Sequence, residues 1–180
     1  MTYIIAEAGI DHEGEPSRLT ALFDAAVRAK ADAFKIQYYA EGFQGAHRTL
    51  PWLDPGYILS LQEDCNNQGL DFIITPHDQW AVNMILETNC VDKVKIGSYD
   101  WALLCKFQAQ APLIISFGYS DHSIGEHVCI AAVAHGAQII EKHLTLERNV
   151  EGRNDTWCSL LPEEWPPFVD KLRETEICCA

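Results

Sequence analysis

The sequence predicts a parallel α/β sheet wrapped into a TIM-like barrel, shortened to about six βα units. Three observations carry the prediction. Short apolar runs alternate with amphipathic stretches along the whole chain, and no low-complexity linker interrupts them. Residues capable of chemistry stand at the ends of those runs, where parallel strands deliver them to a common mouth. The length, 180 residues, falls short of the roughly 200 to 250 of an eight-unit barrel. A six-unit barrel, or an open sheet completed by a partner subunit, fits it better.

The elements follow in order. A strand over Tyr3 to Ala8 precedes a helix that begins after Pro16-Ser17, where serine can cap free amides and Leu19, Leu22, Phe23, Ala26 and Val27 recur at helical spacing. Further strands are expected over Ala33 to Tyr38, Asp71 to Thr75, Lys93 to Gly97, Leu113 to Tyr119 and Gln138 to Thr145. Helices fill the gaps over Pro55 to Gln68, Gln79 to Glu87, Trp101 to Gln108, Ile124 to His135 and Pro162 to Glu174, the last opening with Pro-Glu-Glu at its positive end. Residues 1–180 read as one compact domain, large enough to bury roughly 70% of the unfolded surface.

Charge and composition narrow the partners. Acidic residues outnumber basic ones 26 to 13, giving a net charge of −13, so nucleic acid and anionic membranes are expected to be repelled. No basic leader opens the chain and no apolar run approaches the roughly 18 residues of a membrane span, which predicts a cytoplasmic protein. The 7 cysteines are odd in number, scattered and free of C-x-x-C spacing, so most are read as small buried hydrophobes.

Strand alternation sorts the polar residues. In Ile114 to His122 the even positions, among them Ser116, Ser120 and His122, share a face, and the bulky odd set suits packing against helices. Glu141 and His143 likewise share a face, with Lys142 opposite. His122 and His143 can therefore converge, and neutral imidazole suits Mn, Fe, Co or Zn. Lys35, Lys95 and Lys142 lie within apolar strands, where an ammonium is costly unless an anion or a wet cavity receives it. Thr75, Ser98, Ser116 and Ser120 could add donors to an anion pocket, while Glu7 and Asp100 could serve as acid, base or support for metal-bound histidine. A salt bridge from Lys35 or Lys95 to Glu7 or Asp100 is the plainer reading. His12, His47, His77, His127 and His135 lack comparable context.

The same residues carry a family resemblance. Ile4-Ile-Ala-Glu-Ala-Gly-Ile-Asp-His-Glu-Gly14, Ala31-Asp-Ala-Phe-Lys-Ile-Gln37, Ile74-Thr-Pro-His-Asp78, Lys95-Ile-Gly-Ser-Tyr-Asp100, Gly118-Tyr-Ser-Asp-His-Ser123 and Ile140-Glu-Lys-His-Leu-Thr-Leu-Glu-Arg148 resemble, in order, the motifs of the N-acetylneuraminate (sialic acid) synthase family. The resemblance implies condensation of phosphoenolpyruvate with a small or sugar aldehyde, with phosphate released. It implies His122 and His143 as ligands of a divalent metal, Mn before Mg, Co or Zn. Lys35, Thr75, Lys95, Ser98, Ser116 and Ser120 would cradle phosphoenolpyruvate, and Glu7, Asp100 and Glu141 would be the catalytic acids.

Departures accompany the match. Ile115-Ser-Phe-Gly118 runs directly into Tyr119-Ser-Asp-His122, as though two βα units had been excised and two strands fused, and an asparagine from the lost segment has no counterpart. The family's C-terminal antifreeze-like domain is absent, and its Gly-Pro-Asp-His appears as Gly152-Arg-Asn-Asp155. Exposed parallel edges in a shortened barrel predict a homo-oligomer. Two alternatives stay open: a metal-dependent aldolase, lyase or isomerase acting on an anionic metabolite, and a non-catalytic binding relative.

Overall fold

A computed structural model describes residues 1–45, 48–97, 113–114 and 119–179. Its strands are β1 (Tyr3–Gly9), β2 (Ala33–Tyr38), β3 (Asp71–Pro76), β4 (Lys93–Lys95), β5 (Leu113–Ile114), β6 (Tyr119–Asp121) and β7 (Ile139–His143). The helices are α1 (Pro16–Ala29), α2 (Pro55–Gln68), α3 (Gln79–Thr88), α4 (His127–Ala134) and α5 (Trp165–Cys179). All seven strands join one parallel sheet in the order β5-β4-β3-β2-β1-β7-β6.

That order departs from the expected single strand over Leu113 to Tyr119. Leu113–Ile114 lies on one edge of the sheet beside β4, and Tyr119–Asp121 lies on the other beside β7. Five residues of chain reach at most about 18 Å. The two edges are therefore tethered close together, and the sheet must curl. Side chains register the curl: the Lys95 ammonium on β4 contacts Ser120 and Glu141 of β6 and β7, and Lys93 contacts Tyr3 of β1.

Alternation along each strand splits the sheet into an oily outside and a polar inside. Ile4, Ala6, Phe34, Ile36, Phe72, Ile74, Val94 and Ile140 point outward into one cluster shared with the helices, including Leu22, Phe23, Ile58, Val82 and Trp165. Inside, the described residues form a small apolar plug of Ile5, Ala33 and Ile73, flanked by Tyr3 and Ile139. Above the plug the inward positions turn to charge, and below it Tyr3, Asp71 and Lys93 form a polar floor.

Three helix starts differ from expectation, α4 beginning at His127 rather than at Ile124. Ser17 does not cap α1: the helix begins one residue earlier at Pro16, whose fixed φ and missing N–H suit the first position, and no side chain caps it. Pro162-Glu-Glu does not open α5, which starts at Trp165; Glu164 is used instead to accept the Leu161 N–H at 2.7 Å and to pair with Arg148. The expected helix over Trp101 to Gln108 lies outside the described residues. α5 packs back on the start of the chain, where Arg173 bonds Asp32 at 2.7 Å and Glu176 accepts the Thr2 N–H at 2.7 Å.

Cys65, Cys90, Cys129 and Cys158 are buried free thiols, as their scatter implied, whereas Cys178 and Cys179 are exposed. Among the described residues no helix is long and apolar enough to cross a membrane.

One buried residue had no sequence signal. His12, in the turn after β1, is 0% exposed, and its Nδ1 accepts the Gly14 N–H at 3.1 Å. Nδ1 must then be unprotonated, and burial lowers its pKa from 6.5 to about 4. Between those values the unfolded chain binds a proton that the folded chain refuses, so stability is complete above about pH 6.5 and falls as the pH drops toward 4. Urea midpoints measured across this window should decline less steeply in His12→Gln than in the parent, by up to about 1.4 kcal/mol per pH unit.

Candidate active site

Charged residues of four strands and hydroxyls of two more meet at the C-terminal end of the barrel interior. Glu7 comes from β1, Lys35 from β2, Thr75 from β3, Lys95 from β4 and Glu141 from β7; Ser120 of β6 joins them. Lys35 pairs with Glu7, donates to Thr75 Oγ1 at 3.2 Å and lies 3.8 Å from Glu141 Oε2. Lys95 pairs with the other Glu141 oxygen and lies 3.0 Å from Ser120 Oγ, which in turn donates to Glu141 Oε1 at 3.0 Å. Two ammoniums and two carboxylates thus alternate in one chain of contacts.

Their environments drive them apart electrically. Burial would raise the Glu141 carboxyl, but Lys35 and Lys95 on either side pull it well below the usual carboxylate range, so it stays ionised. Glu7 is 0% exposed; burial and the neighbouring Glu141 outweigh Lys35, and its pKa rises. Lys35, though buried, is held protonated by Glu141 and Glu7. Burial and the neighbouring Lys35 lower the Lys95 ammonium instead. Glu7 is therefore the acid most ready to hold a proton, and Lys95 the cation most ready to lose one.

Gly9 admits the close approach. The β1–β2 register slips between Glu7 and Gly9, Gly9 has φ +55°, and a Cβ there would meet Glu7 Oε1 at 3.2 Å.

The imidazoles close the mouth. His143, the last residue of β7, and His122, just after β6, present Nε2 atoms 3.2 Å apart, with ring planes at 56°. Asp155, from the loop after β7, places Oδ2 4.0 Å from His143 Nε2, and the three groups offer ligand atoms within 4.8 Å of one another. This donor set fits a divalent ion: two imidazoles and a carboxylate suit Mn, Fe or Co, and neighbouring ligands at about 2.1 Å from one ion sit about 3 Å apart. Burial and the nearby Lys35 lower the His143 pKa to about 3, which keeps its nitrogen lone pair available at neutral pH. A cavity of about 80 Å³ adjoins His143 and Asp155, lined also by Asp11, Gln37, Asn154 and Ser159. A larger groove of about 760 Å³ lies at the opposite end, between the chain start and the ends of α4 and α5, away from all of these groups.

The structure thus brings together Glu7, Lys35, Thr75, Lys95, Ser120, Glu141, His122 and His143. Ser98, Asp100 and Ser116 lie outside the described residues. Lys142 does not join the anion pocket: it points to the outer face, fully buried, and pairs with Asp121. Strand parity had put it opposite Glu141, and the buried carboxylate supplies the partner that an inward anion was expected to provide. Asp155 was missed as a candidate ligand because it stands in a loop, where spacing from His143 fixes no direction.

A TIM-barrel-like sheet whose ionisable groups gather at the carboxyl ends of its strands is the architecture of barrel proteins that act on small molecules. The comparisons specify the kind. The NeuB family model matches residues 103–179. The spore coat polysaccharide biosynthesis protein SpsE of Bacillus subtilis is 27% identical over 97% of this chain and 67% of its own length. That alignment spans 255 residues against the 180 present here, so the relative carries internal length that this chain lacks. The N,N'-diacetyllegionaminic acid synthase of Campylobacter jejuni is 44% identical over 62 residues, covering 34% of this chain and 18% of the relative. Among solved structures, the N-acetylneuraminic acid synthetase of Leptospira borgpetersenii superposes with a TM-score of 0.79 at 24% identity, covering 98% of this chain and 84% of that one. The chain is thus similar to NeuB-family proteins, in line with the resemblance its motifs carry.

The internal ion pairs make a stability prediction. Lys35→Met should destabilise the protein by about 3–5 kcal/mol at pH 7.5, because Glu7 is left charged and buried. The penalty should be smaller at pH 5 than at pH 7.5, because burial and Glu141 raise the Glu7 pKa and favour its neutral form as the pH falls, and Lys35→Met with Glu7→Gln should recover most of it. Urea denaturation at the two pH values checks both.

Proposed function

We propose that residues 1–180 act as one barrel unit that condenses phosphoenolpyruvate, or a closely similar enol phosphate carboxylate, with an aldehyde. The observation that carries this reading is the contiguity of the Lys35–Glu7 and Lys95–Glu141 pairs with the His122–His143 pair in one mouth. An ammonium pair beside an electrophile-holding site is what joining an anionic nucleophile to a neutral carbonyl requires.

In this reading Lys35 and Lys95 turn from their carboxylate partners toward phosphate and carboxylate oxygens of the donor, with Thr75 and Ser120 adding hydroxyl contacts. Ser98, Ser116 and Asp100 belong to the proposed set by their place in the matching motifs. Glu141, ionised between both lysines, balances their charge and keeps them fixed. Glu7, biased toward its protonated form, is the proton carrier at the reacting carbons. A carbon–carbon bond forms between the enol carbon and the aldehyde carbon, water adds to the carbon bearing the phosphate, and phosphate leaves. A divalent ion held by His122, His143 and Asp155, Mn²⁺ before Mg²⁺, Co²⁺ or Zn²⁺, would polarise the aldehyde oxygen. β5 and β6 are the terminal strands of the sheet order, which supports a homo-oligomer in this reading.

A non-catalytic relative that binds metal and anions is the second reading, favoured by lysines that already have internal carboxylate partners. Phosphate release separates the two. With Mn²⁺, phosphoenolpyruvate and a panel of short and N-acylated sugar aldehydes, release should occur only when an aldehyde is present. Lys95→Met and His122→Ala should each lower kcat/KM by at least about a hundredfold. Release without aldehyde, or unchanged turnover in His122→Ala, overturns the condensation reading.

A further inference from the structure

The outer face of β6 and β7 carries a charge pair with no part in the chemistry above. Lys142 and Asp121 are each 0% exposed, and the ammonium lies 2.7 Å from Asp121 Oδ2. The same ammonium donates to the Ser123 carbonyl at 2.6 Å. Asp121 Oδ1 accepts the Ser123 N–H at 3.0 Å, and Oδ2 also receives the Cys129 thiol of α4 at 3.2 Å. Lys142 thus grips the residue before His122 and the residue after it, from a position in the chain adjacent to His143.

The register shows what such a grip controls. β6 has three residues and meets β7 through Tyr119↔Ile140, Ser120↔Glu141 and Asp121↔Lys142. A slip of one residue would turn every β6 side chain to the other face. A strand so short has few ladder bonds to resist a slip, and His122 lies just beyond its end, among the bends that lead to α4. A buried ion pair resists slippage strongly, since any shift leaves both charges unpaired and out of reach of water. It also does so directionally, fixing the turn that aims the imidazole.

We propose that Lys142 and Asp121 are positioning residues that set the His122–His143 separation and so tune the metal site. The inference rests on the metal reading of those histidines. A pair kept only for stability makes a different prediction, because buried ion pairs can be exchanged for neutral groups of similar volume with little loss of stability.

The test uses two double variants, Asp121→Asn with Lys142→Met and Asp121→Leu with Lys142→Met, so that neither leaves a lone buried charge. Mn²⁺ affinity is read from the electron paramagnetic resonance signal of free Mn²⁺, and site geometry from the visible spectrum of the Co²⁺-loaded protein. Circular dichroism and the thermal midpoint report the fold. Mn²⁺ affinity should fall about ten- to a hundredfold, and the Co²⁺ bands should shift, in variants that melt close to the parent. Unchanged affinity and spectrum in a folded variant overturn the positioning role. So does loss of the folded state in both, since the pair would then be required by the barrel itself. A parent protein that binds no Mn²⁺, or a His122→Ala variant that binds it equally well, removes the metal reading and this inference with it.

Discussion

The contact between Lys95 and Glu141 joins two strands that stand four places apart in the sheet. It can form only if the sheet is curled, and the curl in turn is sustained by what lies inside. Among the described residues the inner apolar plug is small, and alternating charges line the interior above it. Each ammonium there is tolerable because a carboxylate from another strand meets it. The barrel's curvature and its polar chemistry are therefore one property, and the hydrophobic work of folding is done on the opposite face of the same strands.

This division has an electrostatic consequence for an acidic protein. A net charge of −13 repels anions from the surface at large, yet the interior holds Lys35 and Lys95 at the mouth. An incoming anion is attracted only at short range, where it competes with Glu7 and Glu141 for the same ammoniums. Glu7 is the partner that can yield, since taking up a proton frees Lys35 at small cost, whereas Glu141 remains charged. The site is neutral at rest and gains a net positive charge, favourable to an anion, when Glu7 is protonated.

Much of this was legible in the residues. Alternation alone separated Glu141 and His143 from Lys142, and strand periodicity located β1, β2 and β3 almost to the residue. Where reading failed, the missing information was non-local. Nothing between Leu113 and Asp121 announces that the chain passes from one sheet edge to the other, since a fused strand and two edge strands share the same apolar pattern. Lys142 looked like its two companions because the sequence records a lysine in a strand but not which carboxylate awaits it. Asp155 and His12 belong to loops, where direction is set by tertiary packing and leaves no period to detect.

The first strand made lies in the interior of the sheet. β1 lies between β2 and β7, and its entry is tied down by Arg173 and Glu176 of α5. During synthesis, β1, β2 and β3 can pair early, but the sheet stays a half-built ribbon until residues 139–179 have emerged. The long sequence separation of these closing contacts makes the last step of assembly slow relative to the first. A nascent chain halted before β7 would expose the unpaired flank of β1 together with the apolar faces meant for α5, which is a surface for chaperones to guard.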